Sequence, residues 1–205
     1  MARPILCLVT DRRLAAAPLE DVVAAAVAGG VDWVQLRERD LDDAALLALA
    51  DRVLAAVRGR AELHVSRRVD VALACGAAGV QLGSNAMPAG VARALLGPAA
   101  RIGVSTHAPD EVRAAKAEGA SHAQLAPIFA PLSKPAERPA LGLDALRRCD
   151  PAFPVLAQGG IEVHNAGDVI RAGAAGVAVT GAILGALDPE AAARALRAAL
   201  DRAAA

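Results

Sequence analysis

Four similar stretches recur along the chain, and each joins the end of a predicted helix to a short apolar strand. They read AGGVDWVQL, ACGAAGVQL, AEGASHAQL and RAGAAGVAV, and they begin at residues 28, 74, 117 and 171. In each stretch an alanine-rich helical pattern stops at a glycine: Gly30, Gly76, Gly119 or Gly173. Glycine adopts the left-handed conformation that closes a helix more readily than any other residue. The intervals between the stretches are long enough for two strand and helix units each.

Four further short runs fill those intervals. They are PILCLVT at residue 4, ELHVS at 62, RIGVS at 101 and PVLAQ at 154. Taken together, the eight runs are of the nearly continuous apolar type expected of parallel strands buried on both faces. Eight strands alternating with helices predict an α/β fold, a single (β/α)8 barrel domain over residues 1–205. An open doubly wound sheet is the alternative, although the chain contains no GxGxxG turn.

The composition favours a small-molecule ligand over a macromolecular one. The chain has 22 acidic and 22 basic residues, so no net field draws it to nucleic acid or to anionic lipid. Aromatic residues for base stacking are nearly absent. No stretch approaches 18 uncharged apolar residues, and the first apolar run is too short for a signal peptide. We therefore expect a cytoplasmic protein that binds neither nucleic acid nor membrane, and the question of a homo-oligomer stays open.

Cationic and hydroxyl side chains follow several of the predicted strands. In a (β/α)8 barrel the loops after the carboxyl ends of the strands meet at one mouth. The groups expected there are Arg37, Arg39, Arg67, Lys134, Ser105 and Ser133. Such donors together predict a phosphate site. Arg37 alternates with Gln35 on a strand predicted to be buried, so its charge should point inward, where it requires an anionic partner.

Two glycine-containing loops predict a phosphate cradle. Gly159 and Gly160 follow the seventh strand, and Thr180 and Gly181 follow the eighth. Glycine lets backbone N–H groups approach a phosphate, and the start of a following helix adds its dipole. A simple tight turn is the alternative for the glycine pair. The long loop at 130–141 is either a lid over the ligand or a rigid connector. We interpret three other arginines as solvated residues at helix starts: Arg12, Arg13 and Arg68.

Six segments in order resemble the thiamine phosphate synthase and TenI family over nearly the whole chain. They are QLRER, RVDVALACGAAGVQLG, IGVSTH, APIFAPLSKP, QGGI and AGAAGVAVTGAI. The resemblance implies a (β/α)8 fold and the binding of a thiazole phosphate at the QGGI and TGAI loops. In the synthases a hydroxymethylpyrimidine diphosphate loses pyrophosphate with the help of Mg²⁺, and the thiazole nitrogen captures the pyrimidine carbocation. Cations aimed at the leaving oxygens lower the barrier of such a step.

The resemblance also implies roles for individual residues. The positions that hold the diphosphate and the pyrimidine are Gln35, Arg37, Ser105 and Lys134. Arg39 stands where the family usually has lysine, and Ser133 stands where a threonine often contacts the thiazole phosphate. The predicted substrate-binding set is completed by Ser66, Arg67 and Gln81.

Two positions depart from the synthase pattern. Arg67 and Ala86 stand where the synthases carry the aspartates that bind Mg²⁺, a cation that prefers carboxylate oxygens and that an arginine repels. Either Arg67 substitutes for the metal in a divergent synthase, or the diphosphate site has been abandoned. The TenI branch of thiazole tautomerases also lacks these aspartates. In this chain, however, Pro127 occupies the position of the TenI acid/base histidine, and His107 is the histidine best placed to take over that role. A non-catalytic binder of thiazole phosphate or thiamin phosphate is the third interpretation.

Overall fold

Eight parallel strands close into a barrel in the order of the chain. The computed structural model describes residues 3–83, 85–130 and 138–205. Each strand pairs with the next, and the first pairs with the last, with Cys7 beside Ala178. This closure confirms the predicted (β/α)8 barrel. The doubly wound alternative is wrong, because an open sheet would leave its first and last strands unpaired.

The eight predicted runs all contain a strand. The strands are β1 (Ile5–Val9), β2 (Trp33–Leu36), β3 (Glu62–Ser66), β4 (Gly79–Leu82), β5 (Arg101–Thr106), β6 (His122–Leu125), β7 (Val155–Gln158) and β8 (Gly176–Val179). The α-helices in the described ranges are α1 (Leu19–Ala28), α2 (Asp43–Val57), α3 (Val69–Cys75), α4 (Ala89–Leu96), α5 (Pro109–Ala117), α6 (Leu143–Arg147), α7 (Ala166–Arg171), α8 (Gly181–Leu184) and α9 (Pro189–Ala204).

The helices begin and end where the local sequence favours it. The side chain of Asp42 caps α2 and that of Asp188 caps α9, each accepting a backbone N–H of the first turn. The predicted helix-closing glycines all have positive φ: Gly30, Gly76, Gly119 and Gly173. No helix within the described ranges is long and apolar enough to span a membrane.

Strand residues alternate between the helices and the barrel interior. The outward set, which includes Leu6, Leu8 and Val34, packs against the helices as the main core. The inward set differs from one end of the barrel to the other. At the amino-terminal end of the strands the Trp33 ring lies 4.8 Å from the ring of His64 and 4.9 Å from that of His122, between ring centroids. We call this end, built around these three rings, the floor.

Gly103 on β5 provides the space between the floor and the upper interior. A Cβ atom at this position would lie 2.1 Å from Oε1 of Gln81 and 2.4 Å from Nε2 of His122. Neither distance is compatible with van der Waals contact, so only glycine allows both side chains to pack here.

Candidate active site

Three buried glutamines, on β2, β4 and β6, carry a network of side-chain hydrogen bonds in the upper interior of the barrel. Nε2 of Gln124 donates to Oε1 of Gln35 at 2.7 Å, which joins β6 to β2 across the interior. Nε2 of Gln35 donates to Oγ of Ser66 at 2.9 Å, and Nε2 of Gln81 donates to Oγ of Ser105 at 3.1 Å. We call these five side chains the polar layer, and the carboxyl-terminal end of the barrel above them the mouth.

The polar layer brings together four residues that the sequence predicted and one that it missed. The predicted site lacks Gln124 because nothing at the end of the sixth strand, taken alone, marks this residue as part of a site. Its signal is the repeated Gln-Leu pair that ends β2, β4 and β6. The network orients the hydroxyls of Ser66 and Ser105, since each accepts an amide N–H and keeps its own proton to donate to a ligand.

Three arginines at the mouth have no carboxylate partner among the described residues. Arg37 directly follows β2 and is half-buried, and its backbone N–H donates to Oγ1 of Thr10 at 2.9 Å. Burial, and next the charge of Arg39, lower the pKa of the Arg37 guanidinium. Arg39 and Arg67 are exposed. Among the described residues no side-chain hydrogen bond or ion pair engages any of these three guanidinium groups, so the mouth carries uncompensated positive charge.

The carboxylates on the first two strand loops are already engaged. The buried carboxylate of Glu38 accepts the backbone N–H of Arg12 at 3.1 Å and the guanidinium of the same residue at 3.1 Å. Arg12 also forms two 2.7 Å bonds to Asp40 and holds the pKa of that carboxyl at about 2. Asp11 is paired with Arg13 at 2.9 Å. These acids therefore neutralise their own arginines and offer no free anionic ligand at the mouth.

Arg67 and Arg68 lie side by side between β3 and α3 and have different environments. The guanidinium of Arg68 bonds the carboxylates of Asp43 and Asp70. It lies at a helix start, as interpreted, but it is paired with carboxylates rather than solvated alone. Arg67 has a φ of 66°, and its backbone N–H donates to the carbonyl of Gln81 at 2.9 Å. The fixed backbone places an exposed arginine directly beside the polar layer.

The donor set does not fit the Mg²⁺ ion that the family resemblance implies. Arg67 and Ala86 offer no ligand atom for it on their side chains. Within the ranges that the structure describes, no group of three or more histidine, cysteine, aspartate or glutamate side chains is placed to hold a metal ion. Proteins usually hold Mg²⁺ through one or two carboxylates together with waters and substrate phosphates in near-octahedral geometry, and the cations at the mouth oppose its binding.

The glycine pair after β7 lies against the segment that follows β6. Gly159 and Gly160 have φ of 97° and 61°. A Cβ atom at Gly159 would lie 2.8 Å from Cβ of Pro127, and one at Gly160 would lie 2.4 Å from the carbonyl oxygen of Ala130. Close packing of two loops thus requires these glycines whatever they bind, and the phosphate cradle stays a prediction.

The remaining predicted residues have the following positions. Thr180 immediately precedes α8, which starts at Gly181, and the Thr180 side chain makes no capping hydrogen bond. His107 follows β5, with Nδ1 lying 3.5 Å from the Glu111 carboxylate. Ser133 and Lys134 lie outside the described residues.

Comparison with known proteins adds the following findings. Residues 6–183 match the family described as Thiamine monophosphate synthase. A thiamine-phosphate synthase from Roseiflexus castenholzii is 43% identical over 198 residues, which cover 95% of this chain and 87% of the relative. A thiamine-phosphate synthase from Anaeromyxobacter dehalogenans is 46% identical over 179 residues, which cover 86% of this chain and 81% of the relative.

Solved structures show the same likeness in three dimensions. A thiamine phosphate pyrophosphorylase from Pyrococcus furiosus superimposes with a TM-score of 0.88 at 32% identity, covering 99% of this chain and 98% of that one. A 3-hexulose-6-phosphate synthase superimposes with a TM-score of 0.72 at 24% identity, covering 95% of this chain and 99% of that one, and it shares the fold alone.

Proposed function

The chain belongs to the thiamine monophosphate synthase family, and from this premise we propose that it joins a hydroxymethylpyrimidine diphosphate to a thiazole phosphate, giving thiamin phosphate and pyrophosphate. Family membership over most of the chain is the observation that carries the proposal. The polar layer and the unpaired arginines above it agree with a ligand that is both a heterocycle and a polyanion.

In this proposal the polar layer receives the pyrimidine. Amide and hydroxyl groups can each donate and accept, so they match the ring nitrogens and the exocyclic amine of an aminopyrimidine. The hydrogen bonds within the layer hold these groups before the substrate arrives, which reduces the entropy lost on binding. Gln35 is central because it bonds both Ser66 and Gln124.

In this proposal the diphosphate lies above this layer, within reach of Arg37, Arg39 and Ser105, and the family resemblance adds Lys134, which lies outside the described residues. A guanidinium can donate two parallel hydrogen bonds to phosphate oxygens. A bound anion would also compensate the half-buried charge of Arg37, whose pKa is lowered by burial in the free protein.

The thiazole phosphate occupies the loops after β7 and β8 in this proposal. Gly159 and Gly160 bring the backbone of the first loop close to the ligand. The first N–H groups of α8, which starts at Gly181, have no partner within the helix. The hydroxyl of Thr180, which does not cap α8, and that of Ser133 supply further donors.

The reaction breaks one bond and forms one bond. The bond between the pyrimidine methylene carbon and the diphosphate oxygen breaks, and its electron pair leaves with pyrophosphate. The lone pair of the thiazole nitrogen then forms the new carbon–nitrogen bond. Negative charge grows on the leaving oxygens during the first step, so preorganised cations at the mouth stabilise that transition state more than the ground state.

The test is a single incubation of the purified protein with both substrates, with Mg²⁺ and in excess chelator. We expect thiamin phosphate and pyrophosphate to appear in equal amounts. Ser105→Ala should lower the rate, whereas Arg58→Gln, a control substitution at the far end of α2, should leave it unchanged. Absence of product under both conditions would overturn the proposal, and conversion of the thiazole alone to its tautomer would indicate the tautomerase instead.

A further inference from the structure

We propose that this chain neutralises the leaving diphosphate with the guanidinium of Arg67, together with Arg37 and Arg39, and that it binds the diphosphate free of any divalent cation. The inference rests on the proposed function, which supplies the substrate. It deepens that function by naming the form of the diphosphate that the mouth binds, the form without a bound metal ion. It follows from the disagreement between the donor set and Mg²⁺.

The charged side chains at the mouth differ in whether they have a partner. The acids on the loops after β1 and β2 are all engaged: Glu38 and Asp40 with Arg12, Asp11 with Arg13, and Asp42 with the backbone N–H of Ala45 as the cap of α2. Recruiting one of them to a metal ion would break an ion pair or remove a helix cap. In contrast, Arg67 has no ion pair within the described part of the chain. Among the described residues the free charge on these loops is therefore positive, and positive charge selects an anion.

The backbone of Arg67 adopts a left-handed conformation that is unusual for a residue with a side chain. A non-glycine residue at φ 66° is strained relative to the right-handed region. The conformation is held by the hydrogen bond from its N–H to the Gln81 carbonyl and by that from Arg68 N–H to the Ser66 carbonyl at 2.8 Å. Glycine would adopt this conformation without strain, so an arginine here favours a role for its side chain.

The chemistry of the leaving group also favours arginine as its partner. Pyrophosphate carries several negative charges, and a planar guanidinium can bind its oxygens through two parallel hydrogen bonds. The charge of an arginine is permanent at neutral pH and needs no ion to be recruited. A divalent cation on the diphosphate would face Arg67 across a short distance and be repelled.

The experiment measures the binding of inorganic pyrophosphate by calorimetry, in excess chelator and at increasing Mg²⁺. We expect the wild-type protein to bind pyrophosphate in chelator. Added Mg²⁺ should weaken binding, because it removes negative charge from the ligand. Arg67→Gln should weaken binding in chelator by about 10-fold or more, the usual effect of losing a hydrogen bond to a charged group.

The matched control is Arg58→Gln. Arg58 and Arg67 are the two non-glycine residues with positive φ in the described ranges, but Arg58 ends α2 near the floor. Its variant loses the same charge from the same type of backbone and should bind pyrophosphate as the wild type does.

Two results would overturn the inference without touching the proposed function. One is wild-type binding of pyrophosphate that needs Mg²⁺ or tightens with it, and the other is an unchanged affinity in folded Arg67→Gln. The Mg²⁺ titration uses only the wild-type protein, so it decides the matter even if a variant does not fold. The proposed function fails separately, when both substrates give no thiamin phosphate under any metal condition.

Discussion

The mouth and the floor of the barrel treat polar groups in opposite ways. Below the mouth the amides and hydroxyls of the polar layer are bonded to one another, apart from the buried Oε1 of Gln81, while the guanidinium groups of Arg37 and Arg67 are left without partners in the described structure. At the floor the charges are paired, with Nε of Arg101 2.6 Å from the Glu62 carboxylate, and both ring nitrogens of buried His122 lack a hydrogen-bond partner among the described residues. The mouth thus keeps positive charge available for a ligand, whereas the floor pairs its charges within the protein.

This contrast follows the usual division of labour in (β/α)8 barrels, where chemistry lies at the carboxyl ends of the strands and stability at the amino ends. The two ends also reduce the stability of the folded protein in different ways. Unpaired cations at the mouth lower the stability of the free protein and are compensated by an anion. At the floor, burial of His122 disfavours the protonated form of its imidazole.

The largest expected effects come from one substitution at each end. Gln35→Met should lower kcat/KM for thiamin phosphate formation by about 100-fold, since the hydroxyl of Ser66 and the amide of Gln124 lose their fixed partner. Leu156→Ala, in the buried cluster near Trp33, should cost about 2–5 kcal/mol of unfolding free energy. Its kcat/KM should stay near the wild-type value. Steady-state kinetics and urea unfolding of both variants check this, and an active Gln35→Met would remove the polar layer from the mechanism.

A second prediction concerns acid sensitivity of the floor. Burial lowers the pKa of His122 from 6.5 to about 3, and the charges of His64 and Arg101 act in the same direction. Unfolding restores the ordinary pKa, so the unfolded chain binds the proton more tightly, and stability falls as the pH drops below 6.5. The loss is at most about 1.4 kcal/mol per pH unit and continues towards the folded pKa.

The measurement is the urea midpoint followed by the fluorescence of Trp33, the single tryptophan, between pH 6.5 and 5.5. This window lies above the ordinary carboxyl pKa values of the unfolded chain, so the carboxylates stay largely ionised in both states; the pKa of Glu62 in the folded protein is held near 2, chiefly by its bond to His64. His122→Gln should flatten the slope, and His164→Gln, at an exposed histidine, should not. Equal slopes for the wild type and His122→Gln would contradict the prediction.

A third, smaller effect separates stability from function at Arg37. Arg37→Gln should lower the affinity for pyrophosphate by about 10-fold, because a charged hydrogen-bond donor is lost. The same change should leave the unfolding free energy unchanged or raise it by about 0.5–1 kcal/mol, since burial disfavours this guanidinium in the free protein. Calorimetry and urea unfolding give the two numbers, and a loss of stability would indicate that Arg37 has a structural partner.

The smallest effects compare the two left-handed arginines. Arg58→Gly and Arg67→Gly should each relieve backbone strain and raise the unfolding free energy by about 0.5 kcal/mol. Only Arg67→Gly should weaken pyrophosphate binding. If both variants bound pyrophosphate equally well, Arg67 would contribute no more to anion binding than Arg58 does.

The sequence predicted the architecture well because the fold is encoded in local signals. The helix-closing glycines and the eight short runs mark each unit without reference to distant residues, and each of β1 to β8 falls in one of those runs, with β5 continuing one residue beyond its run. Gln35, Ser66, Gln81 and Ser105 could be predicted because each lies in one of the last two positions of its strand. Gln124 was missed, although comparing the repeats with one another would have revealed it.

What the sequence could not give is the pairing of charges. Arg12 meets Asp40 from another loop, and Arg68 meets Asp43 from the start of α2. Adjacent residues such as Arg67 and Arg68 look alike in the sequence, and only the packing of neighbouring loops determines which one is neutralised. The left-handed backbone of Arg67 is equally hidden, because such a conformation is normally signalled by glycine.

We propose that the arginines of the mouth carry the diphosphate through the reaction without a metal ion. The decisive measurement is the rate of thiamin phosphate formation from the two substrates in excess chelator, compared with the rate of the same reaction with Mg²⁺. We expect product in chelator, at a rate that Mg²⁺ does not raise. Product that forms only when Mg²⁺ is restored would show that the reaction needs the metal ion.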